Sequence, residues 1–84
     1  MKTTSLALMA LIFSTSALAS PVNINKASAQ EIARALSGIG PKKAQAIVAY
    51  RDRNGRFSKG ADIVSVKGIG ASTFQRNRQD IRLK

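Results

Sequence analysis

Apolar runs and short polar breaks alternate along the chain, and the breaks recur in the same order. "SAQEIARAL" sets Ile32, Ala35 and Leu36 at i, i+3, i+4, one apolar face of a helix. Ser28 and Glu31 precede that face at the spacing of a capping box, where each side chain satisfies the other's backbone N–H. The pattern predicts a first helix over 28–36. "SGIG" then breaks it, and Pro41 suits the first turn of a new helix because its missing N–H costs nothing there. Ala44, Ile47, Val48 and Tyr50 or Arg51 follow at helical spacing, and Gly55 is a good stop, so a second helix is predicted over 41–53.

Phe57 stands alone in a polar connection and is expected to plug the core. "KGADIVSV" suggests a short third helix carrying Ile63, Val64 and Val66. "KGIG" repeats the break, and "ASTFQRNRQDIRLK" reads as a fourth helix with Phe74 and Ile81 inward. Asn77 and Arg78 interrupt that face. Ahead of everything, "SPVNIN" opens an extended segment over 20–27, Pro21 disfavouring helix there.

The two breaks are in register. Gly38 and Gly68, Gly40 and Gly70, and Leu36 and Val66 are each separated by 30 residues. One helix-hairpin-helix unit is therefore duplicated, and neither copy has the apolar surface to fold alone. The expected fold is all-α: a tandem helix-hairpin-helix domain over 28–84, about four short helices with pseudo-two-fold symmetry and hairpins at 37–41 and 67–71. Its core should contain Ile32, Leu36, Ile47, Val48, Phe57, Ile63, Val66, Phe74 and Ile81.

Residues 1–19, "MKTTSLALMALIFSTSALA", have a different character. A single Lys2, an apolar stretch from Leu6 to Phe13 and an Ala-Leu-Ala end have the layout of a secretory signal peptide cleaved after Ala19. The apolar run is well short of the roughly 20 residues that span a bilayer. There is no cysteine, so packing alone must hold the remaining small domain together.

Charge narrows the function. The chain has 14 Lys plus Arg against 4 Asp plus Glu, a formal charge of +10, and only Lys2 of this lies in the leader. So basic a domain attracts polyanions. Catalysis finds little material: there is no His or Cys, and Glu31, Asp52, Asp62 and Asp80 form no metal-binding pair. The chain reads as a binding protein, not an enzyme, with no cofactor or metal.

The hairpins supply a chemistry for polyanion binding. Two glycines permit a sharp turn and close approach of another surface, while the intervening Ile39 or Ile69 pins the turn to the core. The next helix begins at once, so its first N–H groups point outward with the positive end of the helix dipole. A phosphate fits there. The candidate contacts are Gly38, Ile39, Gly40, Lys42 and Lys43 in the first hairpin, and Lys67, Gly68, Ile69, Gly70, Ser72, Thr73 and Arg76 in the second. "GIGPKK" carries its own cations where "GIGAST" offers hydroxyls, so the first hairpin is expected to contribute more affinity.

Residues Val22 to Ile81, through "VNINKAS", "LSGIGPKKAQAIVAYR", "NGRF" and "DIVSVKGIG", closely resemble the tandem helix-hairpin-helix domain of ComEA-type competence proteins. The resemblance implies a monomeric helical domain that binds double-stranded DNA with little sequence preference, through the hairpin amides and the Lys42 and Lys43 side chains. It implies uptake of external DNA in natural transformation, as a soluble periplasmic protein working beside DNA-uptake machinery; whether copies of the monomer self-associate on DNA is left open by the sequence. The second hairpin departs from the pattern, with Ala71 and Ser72 where a basic pair is common. Asn77 stands where an apolar residue is usual, and Lys59 and Gly60 replace a cleaner helix start.

Other basic residues keep two readings. Arg51, Arg53, Arg56 and Lys59 either extend the DNA surface or end a solvated helix. Arg78, Arg82 and Lys84, with Arg76, form either a basic rim or a solubilising tail. Tyr50 reads as core edge, and with aromatics only at Phe13, Tyr50, Phe57 and Phe74, single-strand stacking is poorly supported. The competing functions are a cationic envelope protein on anionic lipid or cell-wall polymer, and a DNA-positioning module of a repair complex. A membrane-surface helix needs a broad basic face and a bulky apolar face, but the apolar face of the second helix is needed for the core.

Overall fold

The computed structural model describes residues 20–84; the leader expected at 1–19 lies outside the described residues. Ser28 and Glu31 form the anticipated capping box, Glu31 N–H to Ser28 Oγ at 3.1 Å and Ser28 N–H to Glu31 Oε1 at 2.8 Å. Helix α1 (Ala29–Ala35) starts from it and buries Ile32 and Ala35. Helix α2 (Pro41–Asn54) begins at its proline and stops at Gly55. Both boundaries fall where local chemistry placed them.

The third helical segment, Gly60–Ser65, is a 3-10 helix. With about three residues per turn, Ile63 and Val66 line up on one edge and are buried, while Val64 points out. Gly60 is explained by packing: a Cβ there would lie 3.4 Å from both Phe74 and Ile81. Asp62 caps this turn, accepting the Lys59 N–H at 3.2 Å.

The last segment is shorter than the sequence pattern suggests. Helix α3 ends at Asn77 (Ala71–Asn77), a 3-10 turn follows over Arg78–Asp80, and the chain then extends. Ile81–Arg82 forms a strand, β2, parallel to β1 (Val22–Asn23), pairing Val22 with Ile81 and Asn23 with Arg82. The fold is thus helical with one two-residue strand pair joining the ends of the described chain. The extended entry is correspondingly brief: after β1 the chain turns, with Asn25 N–H on Asn23 Oδ1 at 2.9 Å and Ala27 N–H on the Asn23 carbonyl at 2.8 Å.

Seven of the nine expected core residues are buried, and Val48 and Phe74 pack partly buried against them. Ile24, Ile39 and Ile69, with the small Ala27, Ala35 and Ala44, complete the core. Ile24 comes from the entry segment and is fully buried because the strand pair holds that segment against the helices. Phe57 is buried as expected and stacks on Tyr50, ring centroids 5.4 Å apart, so Tyr50 edges the core.

Candidate nucleic-acid interface

The two hairpins have the same backbone. Gly38 and Gly68 hold φ of +77° and +95°, a region that L side chains rarely adopt. Each is followed by a buried isoleucine, Ile39 at 2% and Ile69 at 4% exposure. Of the proposed contacts, these two side chains are therefore spent on the core, and only their backbones remain for a ligand. Gly40 and Gly70 then serve as the N-caps of α2 and α3.

Gly40 and Gly70 have ordinary negative φ, and a Cβ on either meets nothing within 4 Å. Neither backbone strain nor internal packing requires glycine there. What the missing side chain does is leave the helix start open from outside. The contrast within the chain is direct: α1 has a capping box and an acid in its first turn, whereas α2 and α3 have no side-chain cap and no acid in theirs. The N–H groups opening α2 and α3 are left for an external acceptor.

The cations are arranged across the pseudo-symmetry. Arg76, on α3, reaches the first hairpin: a Cβ on Gly38 would lie 2.7 Å from its Nη1. Lys43, on α2, runs past the second: a Cβ on Gly68 would lie 3.8 Å from its Cγ and Cε. The positive-φ glycine of each hairpin is thus overlain by a basic side chain from the other unit. The sequence assigns Lys43 to the first hairpin and Arg76 to the second; the fold sets each against the positive-φ glycine of the other hairpin. Lys42, Lys67 and Ser72 are exposed beside the turns, and Thr73 is half-buried.

Asn77 locks the hairpins side by side. It is fully buried, accepts the Ser37 N–H on Oδ1 at 2.7 Å, and donates Nδ2 to the Ser37 carbonyl at 2.8 Å and the Thr73 carbonyl at 2.9 Å. The residue that interrupts an apolar face in the sequence is the joint between the two units. Its only signal in the sequence was being polar at an inward position of the helix.

The remaining basic residues divide. Arg51 donates Nη1 to the Ile24 carbonyl at 2.7 Å, and Arg56 donates Nη2 to the Leu83 carbonyl, so both tie down the segments next to β1 and β2. Asn25 does the same from the other side, accepting the Phe57 N–H at 2.6 Å and donating to the carbonyls of Phe57 at 3.1 Å and Leu83 at 3.0 Å.

Comparison with known proteins agrees with the helix-hairpin-helix fold. Residues 18–82 match the family model described as the helix-hairpin-helix motif. An uncharacterised protein of Haemophilus influenzae is 48% identical over 60 residues, covering 71% of this chain and 54% of that protein. ComE operon protein 1 of Bacillus subtilis is 48% identical over 63 residues, 75% of this chain and 30% of its own length. The transcriptional accessory protein Tex of Neisseria gonorrhoeae is 40% identical over 62 residues, 74% of this chain and 8% of its own. The matched region is thus about half, or much less, of each of these relatives.

Proposed function

The chain belongs to the helix-hairpin-helix family in its ComEA-type form, and from that premise we propose that it binds double-stranded DNA without sequence preference. The observation that carries this is the crossed pair: Arg76 over Gly38 and Lys43 past Gly68, beside two uncapped helix starts. Phosphate oxygens accept the outward amides of both hairpins, and the crossed cations neutralise the same stretch of backbone. Two grips on one face fix the protein on a duplex across its minor groove. Sequence independence follows from the donors, which are main-chain amides and cationic side chains suited to phosphate and carry no base-edge code.

The role is binding, not catalysis; two of the acids, Glu31 and Asp62, are engaged in helix caps. With the leader removed, the domain acts in the periplasm, where it captures duplex as it enters and stops it slipping back during natural transformation. Components of the uptake machinery take the DNA onward.

A gel-shift series with unrelated duplexes at several salt concentrations tests the binding claim. Neutralising about 4–8 phosphates gives a log–log salt slope near −4 to −7. Salt-insensitive binding, or tight binding to anionic vesicles but not to duplex, contradicts it. The biological claim is tested separately, by deleting the gene in a transformable host: transformation should fall, and undiminished transformation rejects the uptake role.

A further inference from the structure

A second cationic cluster stands at the far end of α2. Arg51 and Arg56 each donate to one main-chain carbonyl, those of Ile24 and Leu83, and Arg82 donates through Nη1 to those of Gln79 and Ile81. These bonds orient the guanidinium groups and leave their other donors available. Lys84 adjoins them, its carbonyl accepting the Asn23 amide, and Arg53 is exposed in the same last turn of α2. Asp52 offsets one of these charges. The cluster is made by the fold: Arg51 holds the Ile24 carbonyl and Arg56 that of Leu83, so the segments carrying β1 and β2 lie beside the end of α2, and Asn23 in turn holds the Lys84 carbonyl.

We propose that this cluster is a second duplex-binding surface, so that one chain bridges two segments of DNA. The proposal rests on the duplex binding argued above. Amides at a helix N-terminus point along its axis toward the phosphate they hold, so the helix body runs away from that duplex. The 14 residues of α2, at about 1.5 Å each, place its last turn about 20 Å farther back. That is beyond the reach of an arginine side chain to the same backbone. The phosphates these groups meet therefore belong to another duplex segment, joined through the rigid rod of α2.

A capture assay tests this. One duplex is fixed to beads, and a fluorescent duplex of unrelated sequence is offered with the protein. The wild-type chain should retain the fluorescent duplex, with retention rising and then falling as protein is added in excess, because each duplex then acquires its own protein. Arg53→Gln/Lys84→Gln removes two charges whose side chains hold no main-chain carbonyl among the described residues, so folding is kept; adding Arg56→Gln/Arg82→Gln removes two more and leaves only Arg51, which anchors Ile24. Retention should fall about fivefold or more while single-duplex affinity changes about twofold or less. Lys42→Glu/Lys43→Glu should lose both. A wild type that shifts single duplexes but retains no second one overturns the bridge and leaves duplex binding standing. Retention unchanged in the cluster variants also overturns it, and assigns bridging to association between chains. A wild type that shifts no duplex removes both claims. Cluster-dependent binding to anionic vesicles, without duplex retention, gives the surface to lipid and also overturns it.

Discussion

Asn77 and Ser37, 40 positions apart, exchange a pair of hydrogen bonds across the two halves of the molecule, with Asn77 wholly buried. An amide side chain here reads the backbone of the opposite hairpin, as a strand would read its neighbour. It also returns a bond to the Thr73 carbonyl one turn back, which finishes α3 at this residue. The joint and the helix end are the same event.

Replacing Asn77 with Leu should therefore cost more than its gain in apolar volume. Two polar groups of Ser37 and one of Thr73 lose the Asn77 side chain as a partner in a part-buried setting. The expected loss is about 2–4 kcal/mol, read from urea or thermal unfolding followed by circular dichroism. A variant as stable as wild type would show that the hairpins are held together by the core alone.

The two glycines of each hairpin should fail in different ways. Gly38→Ala must strain a left-handed backbone and displace the Arg76 guanidinium, so stability should drop by about 1 kcal/mol or more. Gly40→Ala meets neither obstacle, so stability should change by about 1 kcal/mol at most. Duplex affinity in the Gly40 variant should nevertheless fall about tenfold, because the methyl occupies the approach to the first amides of α2. Unfolding curves and gel shifts on both variants separate the effects; full affinity in folded Gly40→Ala would place the phosphate elsewhere.

The crossed cations make a quantitative prediction. Lys43→Ala and Arg76→Ala each remove one phosphate contact, so each should weaken duplex binding and reduce the salt slope by about one. The two losses should be comparable, since each group serves the other unit's hairpin. A loss confined to Lys43, with Arg76→Ala indistinguishable from wild type, would restore the unequal pair that the sequence suggests.

Asn25→Ala should loosen the seam between the chain ends. It orphans the Phe57 N–H and removes a donor from the carbonyls of Phe57 and Leu83. A loss of about 2–3 kcal/mol is expected, with hydrogen exchange accelerating first at Ile24 and Ile81–Arg82. Uniform exchange across the domain would mean that the seam has no local stability of its own.

Local chemistry was legible in the sequence. The Ser28–Glu31 box, Pro41, the glycine turns and the Gly55 stop act within a few residues, so one stretch of chain contains both partners of each interaction. The duplicated Gly-Ile-Gly also announced two units that must pack, and the apolar spacing named most of the core. Tertiary structure decided the rest. Asn77 looked like a defect because its partner is 40 positions away, and "DIRLK" looked like more helix because the strand it pairs with lies at the other end of the domain. The exchange of Lys43 and Arg76 between hairpins was equally invisible. A side chain's place in sequence says which helix carries it, but which glycine it covers depends on how two helices cross, and only the folded core sets that crossing.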